Sequence, residues 1–512
     1  MCILIVFNHL IWRRGIVLER QDKLNNKDYI MWAVLLLAGI IYLTFGITHE
    51  SLWYDESYSA AIINHSIGDI WSIAGSDSHP PLYFIVLKMF TVIFGKSEFG
   101  LRLFSCLGII ALSSLGLGPI RKLFGKKTGL VYSFIVLIIP IDLSMAQETR
   151  MYSWASFLVA ACALYGYIAV SKGQKSDFIK FGLCTIIAAY THYYALLAVT
   201  IINIIIFASI IIKKRSVLKP YLVTATVSLI TYLPWLFYLS KQYAKVSKDF
   251  WIPTITWETI FNTIVFPYAN KFEPNSSLAL ILPYLTASIV IWAFVYSIVK
   301  RRREWKMAAF GLAVYLMTVA SGVAASFLIR PVFVERYSVP VIGLLMIPIA
   351  YGISLFNKKW LIAAVCILIT AFCVPQIVMI EKEHYNGPMY DVKEYLADKI
   401  NDQDIIIHTD EHTFGTFCYY FPNNKHYMYL GPYSKGYSGF DAFLPTGKSV
   451  SDIESITSGN KSIWLVTRLY SSGESAFYAL LGSGDFISTG ESKDFLLPYS
   501  WYGVKVEKVT RQ

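Results

Sequence analysis

Charge is scarce in this chain and unevenly signed. Of 512 residues only 15% are Asp, Glu, Lys or Arg, whereas 55% are hydrophobic and 16% aromatic, and the mean hydropathy is +0.50. That shortage excludes a soluble protein of ordinary surface charge and leaves a polytopic membrane protein, mainly α. Cysteines number seven, an odd count, at Cys2, Cys106, Cys162, Cys184, Cys366, Cys373 and Cys418, with no CxxC, so neither a disulfide framework nor a thiolate metal site is indicated. Phosphate-cradling loops of the GxGxxG or GxxxxGK[ST] type are missing, as are internal repeats and low-complexity tracts, which removes support for a nucleoside-diphosphate or ATP site. The net charge of +11 invites a nucleic-acid partner. Its distribution argues against one, because from Glu381 onward 12 Lys and Arg stand against 17 Asp and Glu, a balance of −5 that leaves +16 for the rest. Basicity confined to the apolar part is the signature of cytoplasmic loops.

Long apolar runs are what the chain has in abundance. Stretches near the roughly 20 residues needed to span a bilayer fall at about 29–47, 101–119, 129–146, 153–170, 178–192, 193–212, 217–239, 278–299, 306–328, 338–356 and 360–380, about eleven crossings. Basic clusters recur at every second connection: Arg13 to Lys27, Arg121 to Lys127, Lys172 and Lys175, Lys213 to Arg215, Lys300 to Arg303, and Lys358 with Lys359. The expected topology follows. The N-terminus is cytoplasmic, and the segment after residue 380 is extracytoplasmic. Lys241, Lys245, Lys248 and Lys271 depart locally from the rule. The run 82–95 is too short to cross and reads as a re-entrant or surface-lying helix of the outer leaflet. Residues 1–12 are apolar but precede Arg13 and Arg14, the wrong order for a cleaved signal peptide, and read as an interfacial helix or as the product of an upstream start codon.

The expected organisation is a cytoplasmic segment 1–28, a transmembrane domain 29–380 with a first outer loop at 48–81, and a soluble domain 381–512. In the last, the helix-like MYDVKEYLADKI is followed by the strands DIIIHT, SIWLVT and VKVEKV, an α/β pattern.

Within this topology the polar residues that disobey membrane economics share the outer side. They are Asp55 and Glu56 (WYDESYSA), His79 (SHPP), Arg102, then Gln147, Glu148, Arg150 and Tyr152 (AQETRMYSW), His192 between Tyr190 and Tyr193, and Arg330, Glu335, Arg336 and Tyr337 (IRPVFVERYSVP). A carboxylate just outside hydrocarbon suits a general base. Arginine forks match phosphate oxygens and stay charged when desolvated. Each residue also has a structural alternative: Asp55 and Glu56 capping a helix that starts at Ser57, Arg150 pairing with Glu148, Arg336 with Glu335 or a headgroup, and the histidines as satisfied polar groups. The pair of prolines after His79 fixes where the next helix begins.

WYDESYSA, SHPPLYF with FGKSEFGLRLFS, QETRMYS and ERYSVP together resemble the membrane-embedded GT-C glycosyltransferases, over roughly residues 30 to 380, and in particular the branch of protein O-mannosyltransferases and the lipid A aminoarabinose transferase. The resemblance implies a GT-C-like helical bundle with a small C-terminal extracytoplasmic α/β domain. It also implies a polyprenyl-phosphate sugar donor and transfer to a lipid, glycan or protein acceptor at the outer membrane face. The catalytic positions would be Asp55, as or near the base, and Glu56. Arg150 and Arg336 would lie at the phosphate, with His79, Arg102, Glu148, Tyr152, His192 and Tyr337 contributing to donor or substrate binding. His79 stands where the aminoarabinose branch has a lysine near the carrier phosphate. One base on one face favours inversion at the anomeric carbon. No cofactor is certain; a divalent metal stays open, with His79, His192 and Asp55 as the residues that would have to converge. A transporter or flippase of lipid-linked sugars is the alternative, although it would normally show repeats or broken helices.

Overall fold

One helix, Val339–Ser354, sets the arrangement of the helical part. All of it except Leu345 and Ser354 is buried, and it packs against Lys126–Ile138, Tyr152–Lys172, Ser277–Val299 and Trp305–Leu328. A helix apolar on every side can be placed only at the centre of a bundle. Close approach is possible because residue 343 is glycine: a Cβ there would stand 2.7 Å from Leu112 Cδ1 and 3.2 Å from Ser156 Oγ. Small residues let helix backbones approach in this way inside membranes. Peripheral helices show the converse pattern. Asn26–Thr44 exposes Tyr29, Ile30, Val34, Leu37 and Ile41, and Lys359–Lys382 exposes Trp360, Ile367, Leu368 and Val374, faces that suit lipid.

The structure is a computed structural model that describes residues 24–246, 252–269, 277–300, 302–382, 385–431, 438–457, 462–498, 500 and 502–511. The interfacial helix expected at 1–12, and Lys248 and Lys271, lie outside them. Among the described residues nine helices are long and apolar enough to cross a membrane, or ten if the pair Lys126–Ile138 and Pro140–Ala146, bent by 66°, counts as one span. The chain is a multi-pass membrane protein. The expected crossing at 178–192 is the exception: its helix, Lys175–Ala189, has 15 residues and stops before Tyr190, Thr191 and His192. At 1.5 Å per residue that is about 22 Å, short of a hydrocarbon core of about 30 Å.

By contact the chain forms two compact units. One comprises Met1–Phe45 with Leu103–Ile380, the other Gly46–Arg102 with Glu381–Gln512. Residues 46–102, which include the expected loop 48–81, thus pack with the C-terminal residues. In that second unit, α1 (Tyr54–Ile62), α2 (Ile67–Ser76) and α3 (Leu82–Phe94) come from the loop. Pro81 is the N-cap of α3, and at 13 residues α3 is too short to span.

The C-terminal segment supplies α4 (Met389–Leu396), α5 (Glu411–Tyr420), α6 (Gly473–Gly482) and six strands: β1 (Ile405–His408), β2 (Lys425–Tyr429), β3 (Gly447–Val450), β4 (Ile463–Arg468), β5 (Phe486–Phe495) and β6 (Val504–Arg511). The strands form one sheet in the order β3-β2-β1-β4-β6-β5. The first four are parallel, with Ile405 opposite Lys425 and Ile463, and β6 and β5 run antiparallel at one side. Alternation along the strands fills two cores. Ile406, Trp464 and Val466 meet Met389, Val392 and Phe417 on one face, and Ile405, Ile407 and Leu465 meet Phe477 and Leu480 on the other. Burial on both faces is why β1 and β4 read as unbroken apolar runs.

Candidate active site

Helix α1 begins at Tyr54, three residues before the Ser57 start that capping by the acidic pair would require, so Asp55 and Glu56 lie in its first turn. There the positive end of the helix favours both carboxylates. Neighbours on a helix point about 100° apart, and the two acids meet different surroundings. Glu56 is fully buried and accepts from Arg102 Nε at 2.8 Å and Nη2 at 2.7 Å, and from Asn386 Nδ2 at 3.3 Å. Arg102 spends its remaining donors on loop carbonyls: Nη1 on Ile47 O and Glu50 O, both at 2.7 Å, and Nη2 on Ser51 O at 3.0 Å. Glu56 and Arg102, expected to face substrate, therefore bond to each other and to the backbone of the first outer loop.

Further bonds fix the same turn. Asn386 Nδ2 also donates to Ser51 O at 2.8 Å, the Leu52 N–H donates to the Tyr420 hydroxyl at 2.8 Å, and Tyr390 and Tyr420 both donate to Glu98. Asp55, only half-buried, remains within reach of solvent. His79 is tied by Nδ1 to Asp77 Oδ2 at 2.9 Å, and Asp77 is 6% exposed. Asp77 lies inside the AGSDSHPP stretch, two residues before His79, and was not singled out from sequence.

The C-terminal part of this unit adds residues that the sequence reading missed. Helix α5 packs on α1: the Tyr54 and His412 rings are 5.6 Å apart, and a Cβ at Gly415 would stand 2.6 Å from Tyr54 Cδ2. Asp410 caps α5 by accepting from the His412 N–H at 3.0 Å, and its other oxygen pairs with Arg468 Nε at 3.2 Å. Burial acts to raise the Asp410 carboxyl, but His412 and Arg468 hold it below the usual range. Glu411 is pushed up by burial and by the negative charges of Asp410 and Asp55, against His412 and Arg468. Burial also pushes the Tyr54 hydroxyl well above its ordinary value, with Glu411, Asp77 and Asp55 adding to it. Asp410, after β1, thus caps the helix that packs on α1 and ties it to Arg468 at the end of β4.

The other expected residues belong to the first unit. Glu148 and Arg150, 3% and 2% exposed, sit in the turn between Pro140–Ala146 and Tyr152–Lys172, where Arg150 N–H donates to Glu148 O at 2.7 Å and Ser105 Oγ to Arg150 O at 3.3 Å. Tyr152 opens the next helix and lies 5.2 Å, ring to ring, from His192. His192 in turn lies 5.7 Å from Tyr337, and Tyr337 lies 5.0 Å from Tyr194. His192 Nδ1 accepts from the Tyr194 N–H at 3.1 Å and caps the helix Tyr193–Lys213, which leaves the ring proton on Nε2 in the neutral form. The Arg336 guanidinium is 6.0 Å from the Tyr337 ring centroid. This unit brings Tyr152, His192 and Tyr337 together with Tyr194, a residue whose only sequence signal was the THYY context. Asp55 and His79 fall in one unit and His192 in the other, and no three His, Cys, Asp or Glu side chains among the described residues group as a metal site.

Residues 78–238 match the family model described as dolichyl-phosphate-mannose-protein mannosyltransferase. The whole fold matches the crystal structure of ArnT from Cupriavidus metallidurans in the apo state, with a TM-score of 0.59 over 94% of this chain and 98% of that one, at 12% identity. The fold is ArnT-like. The match extends to the same ArnT bound to undecaprenyl phosphate, with a TM-score of 0.56, 12% identity, and 93% and 98% of the two chains covered. The Archaeoglobus fulgidus oligosaccharyltransferase tethered with an acceptor peptide aligns over 77% of this chain and 63% of that one, at 11% identity and a TM-score of 0.48. No curated protein sequence matches the chain.

Proposed function

We propose that this protein transfers a sugar from a polyprenyl-phosphate donor to an acceptor hydroxyl at the outer face of the cytoplasmic membrane, with Asp55 as general base. The ArnT-like fold and the undecaprenyl phosphate named for ArnT support the lipid-linked donor. The observation that carries the assignment of Asp55 is the divergence of two consecutive acids. Glu56 is buried and bonded by Arg102 and Asn386, whereas Asp55 on the same turn stays in contact with solvent. Glu56 is accordingly a positioning residue: its bonds to Arg102 hold the first turn of α1, and with it the direction of the Asp55 side chain.

In the reaction, Asp55 accepts the acceptor's proton as the acceptor oxygen attacks C1 of the sugar. The C1–O bond to phosphate breaks, and the electron pair leaves with the polyprenyl phosphate. Arg150 and Arg336 stabilise the charge that grows on the leaving phosphate. A single displacement inverts the anomeric centre.

The test is release of the carrier by the purified chain in nanodiscs from a panel of radiolabelled polyprenyl-phosphate sugars. Wild type releases carrier from at least one donor, and Asp55→Asn lowers turnover by about 10²- to 10⁴-fold while the circular dichroism and melting profile stay as in wild type. Near-normal turnover in Asp55→Asn, or a product that keeps the donor's anomeric configuration, overturns the assignment. Tight donor binding with no turnover in wild type points instead to a carrier of lipid-linked sugars.

A further inference from the structure

Residues 50–51, just before α1, and residues 386–387, just before α4, are stitched together by hydrogen bonds. The Asn386 N–H donates to Glu50 Oε2 at 2.9 Å, and Ser51 Oγ donates to Gly387 O at 3.3 Å. Asn386 also spends both protons of its side-chain amide here, on Ser51 O at 2.8 Å and on Glu56 Oε2 at 3.3 Å. Its Oδ1, in a residue 5% exposed, has no hydrogen-bond partner among the described residues. A buried acceptor left without a donor costs free energy. Turning the amide over would set that oxygen against the Glu56 carboxylate, so the arrangement serves Glu56 rather than the asparagine itself.

What fixes Asn386 lies near the far end of the chain. The hydroxyl of Tyr502, two residues before β6, donates to Asn386 O at 2.8 Å. The Tyr502 ring is buried in the core with Met389, Val392 and Trp464, so packing holds the phenol in place. It reaches the carbonyl because residue 387 is glycine. A Cβ there would stand 2.3 Å from Tyr502 Cζ and 2.5 Å from the hydroxyl, and φ is +91°, a conformation that other residues rarely adopt.

We propose that Tyr502 and Asn386 are positioning residues for the transfer reaction: the phenol fixes the Asn386 carbonyl, and the Asn386 amide holds Glu56 and with it the turn that carries Asp55. The inference rests on the reading of Asp55 as base. Both residues act through Glu56, which shares the first turn of α1 with Asp55. Loosening that turn slows the step in which the base must be aimed at the acceptor hydroxyl. It leaves the donor's binding as it was, because Arg150 and Arg336, assigned to the donor phosphate, belong to the other unit.

The test uses full-length protein in nanodiscs and compares wild type with Tyr502→Phe, Asn386→Ala, Glu56→Gln, the double variant Tyr502→Phe, Glu56→Gln, and Asp55→Asn. Tyr502→Phe keeps the ring and removes one hydrogen bond. Tyr395→Phe is the control, since Tyr395 packs against the same core and its hydroxyl makes no hydrogen bond among the described residues. Amide hydrogen exchange comes first because it needs no turnover. Tyr502→Phe and Asn386→Ala speed exchange over residues 50–60 several-fold while β1 and β4 exchange as in wild type, and Tyr395→Phe follows wild type throughout.

Carrier release is then measured with the donor that turns over. Arg102 keeps its two bonds to Glu56, so Tyr502→Phe lowers kcat by only about threefold to tenfold, with the donor's KM within about twofold of wild type. In the Glu56→Gln background the amide no longer meets a carboxylate, and the same change lowers kcat by less than about twofold. Wild-type exchange over residues 50–60 in Tyr502→Phe overturns the proposal. So does an equal loss of kcat with and without Glu56, or faster exchange with unchanged kcat, which reduces the pair to a structural role. Turnover that survives Asp55→Asn removes the base reading, a separate result, and the exchange data still decide whether Tyr502 and Asn386 hold the turn.

Discussion

Removing Arg102 while keeping Glu56 tests the reasoning about the first outer loop most directly. Arg102→Met fits the space of the guanidinium stem but leaves a fully buried carboxylate with Asn386 Nδ2 at 3.3 Å in place of two guanidinium bonds at 2.7 and 2.8 Å. It also removes the arginine bonds from three loop carbonyls, Ile47 O, Glu50 O and Ser51 O, of which Ser51 O keeps Asn386 Nδ2 and Glu50 O keeps the Tyr390 hydroxyl. Breaking a buried ion pair from one side costs about 3–5 kcal/mol. In a unit of roughly 190 residues each kcal/mol lowers the melting temperature by about 2–4 °C, so the apparent Tm of the second unit falls by about 6–20 °C. The double variant Glu56→Gln, Arg102→Met removes the uncompensated charge and recovers more than half of that loss. Differential scanning fluorimetry in detergent, with carrier release measured in parallel, reads both effects. Turnover falls with Arg102→Met because Asp55 loses its fixed direction, and it recovers only in part in the double variant, since the arginine bonds to the loop carbonyls stay lost. An Arg102→Met protein that melts within about 2 °C of wild type and keeps full turnover refutes the account of the clamp.

Two further outcomes follow from the C-terminal sheet. His426 Nε2 donates to Phe421 O at 2.8 Å, so its Nδ1 accepts from His408 Nε2 at 3.1 Å, and both rings are neutral in the folded state. Burial pushes His426 down to about 4, against roughly 6.5 unfolded. The unfolded chain therefore takes up a proton that the folded chain refuses between those values. Stability falls by about 3 kcal/mol as pH drops from about 6.5 to about 4, and denaturant unfolding of the His408→Gln, His426→Gln variant shows a much smaller slope in that window. At Gly415, valine drives its side chain into the Tyr54 ring and costs about 1–3 kcal/mol. Gly482→Ala, with nothing within 4 Å of the added Cβ, is the neutral control. Carrier release and Tm fall together in Gly415→Val and stay level in Gly482→Ala.

Much of the fold was readable because its signals are local. Apolar runs near membrane thickness became helices, Pro81 placed the start of α3, and the runs DIIIHT and SIWLVT became β1 and β4 because a strand buried on both faces has no polar residues to interrupt it. Elements without such a signal were lost. β5, FISTGESKDF, is exposed along its middle at the sheet edge, and β3 is only GKSV. The run 178–192 overstated its helix because Tyr190, Thr191 and His192 are apolar or aromatic enough to extend the hydropathy but form a turn. At the candidate site, composition pointed to Asp55 and Glu56 but could not separate them. What separates them is Arg102, 46 residues away, together with Asn386, 330 residues away, and no periodicity reports contacts of that span. Glu411, His412 and Arg468 were hidden for the same reason. On their own segments they are ordinary surface residues at strand ends, and only the packing of α5 on α1 gives them meaning.

The second unit is discontinuous, and this matters during synthesis. Residues 46–102 emerge early, but their partners begin at Glu381, after all of Leu103–Ile380 has been made. At about 5–20 residues per second, the loop waits on the order of half a minute with Glu56, Tyr54 and Leu52 lacking the contacts of Asn386, Gly415 and Tyr420. Throughout that interval an acid that ends up fully buried stays within reach of water, and a competing pairing at the membrane surface would trap it. The turn that carries Asp55 therefore gains the contacts of Asn386, Gly415 and Tyr420 only when the C-terminal segment folds back, and a nascent or truncated chain lacking that segment holds residues 46–102 without them.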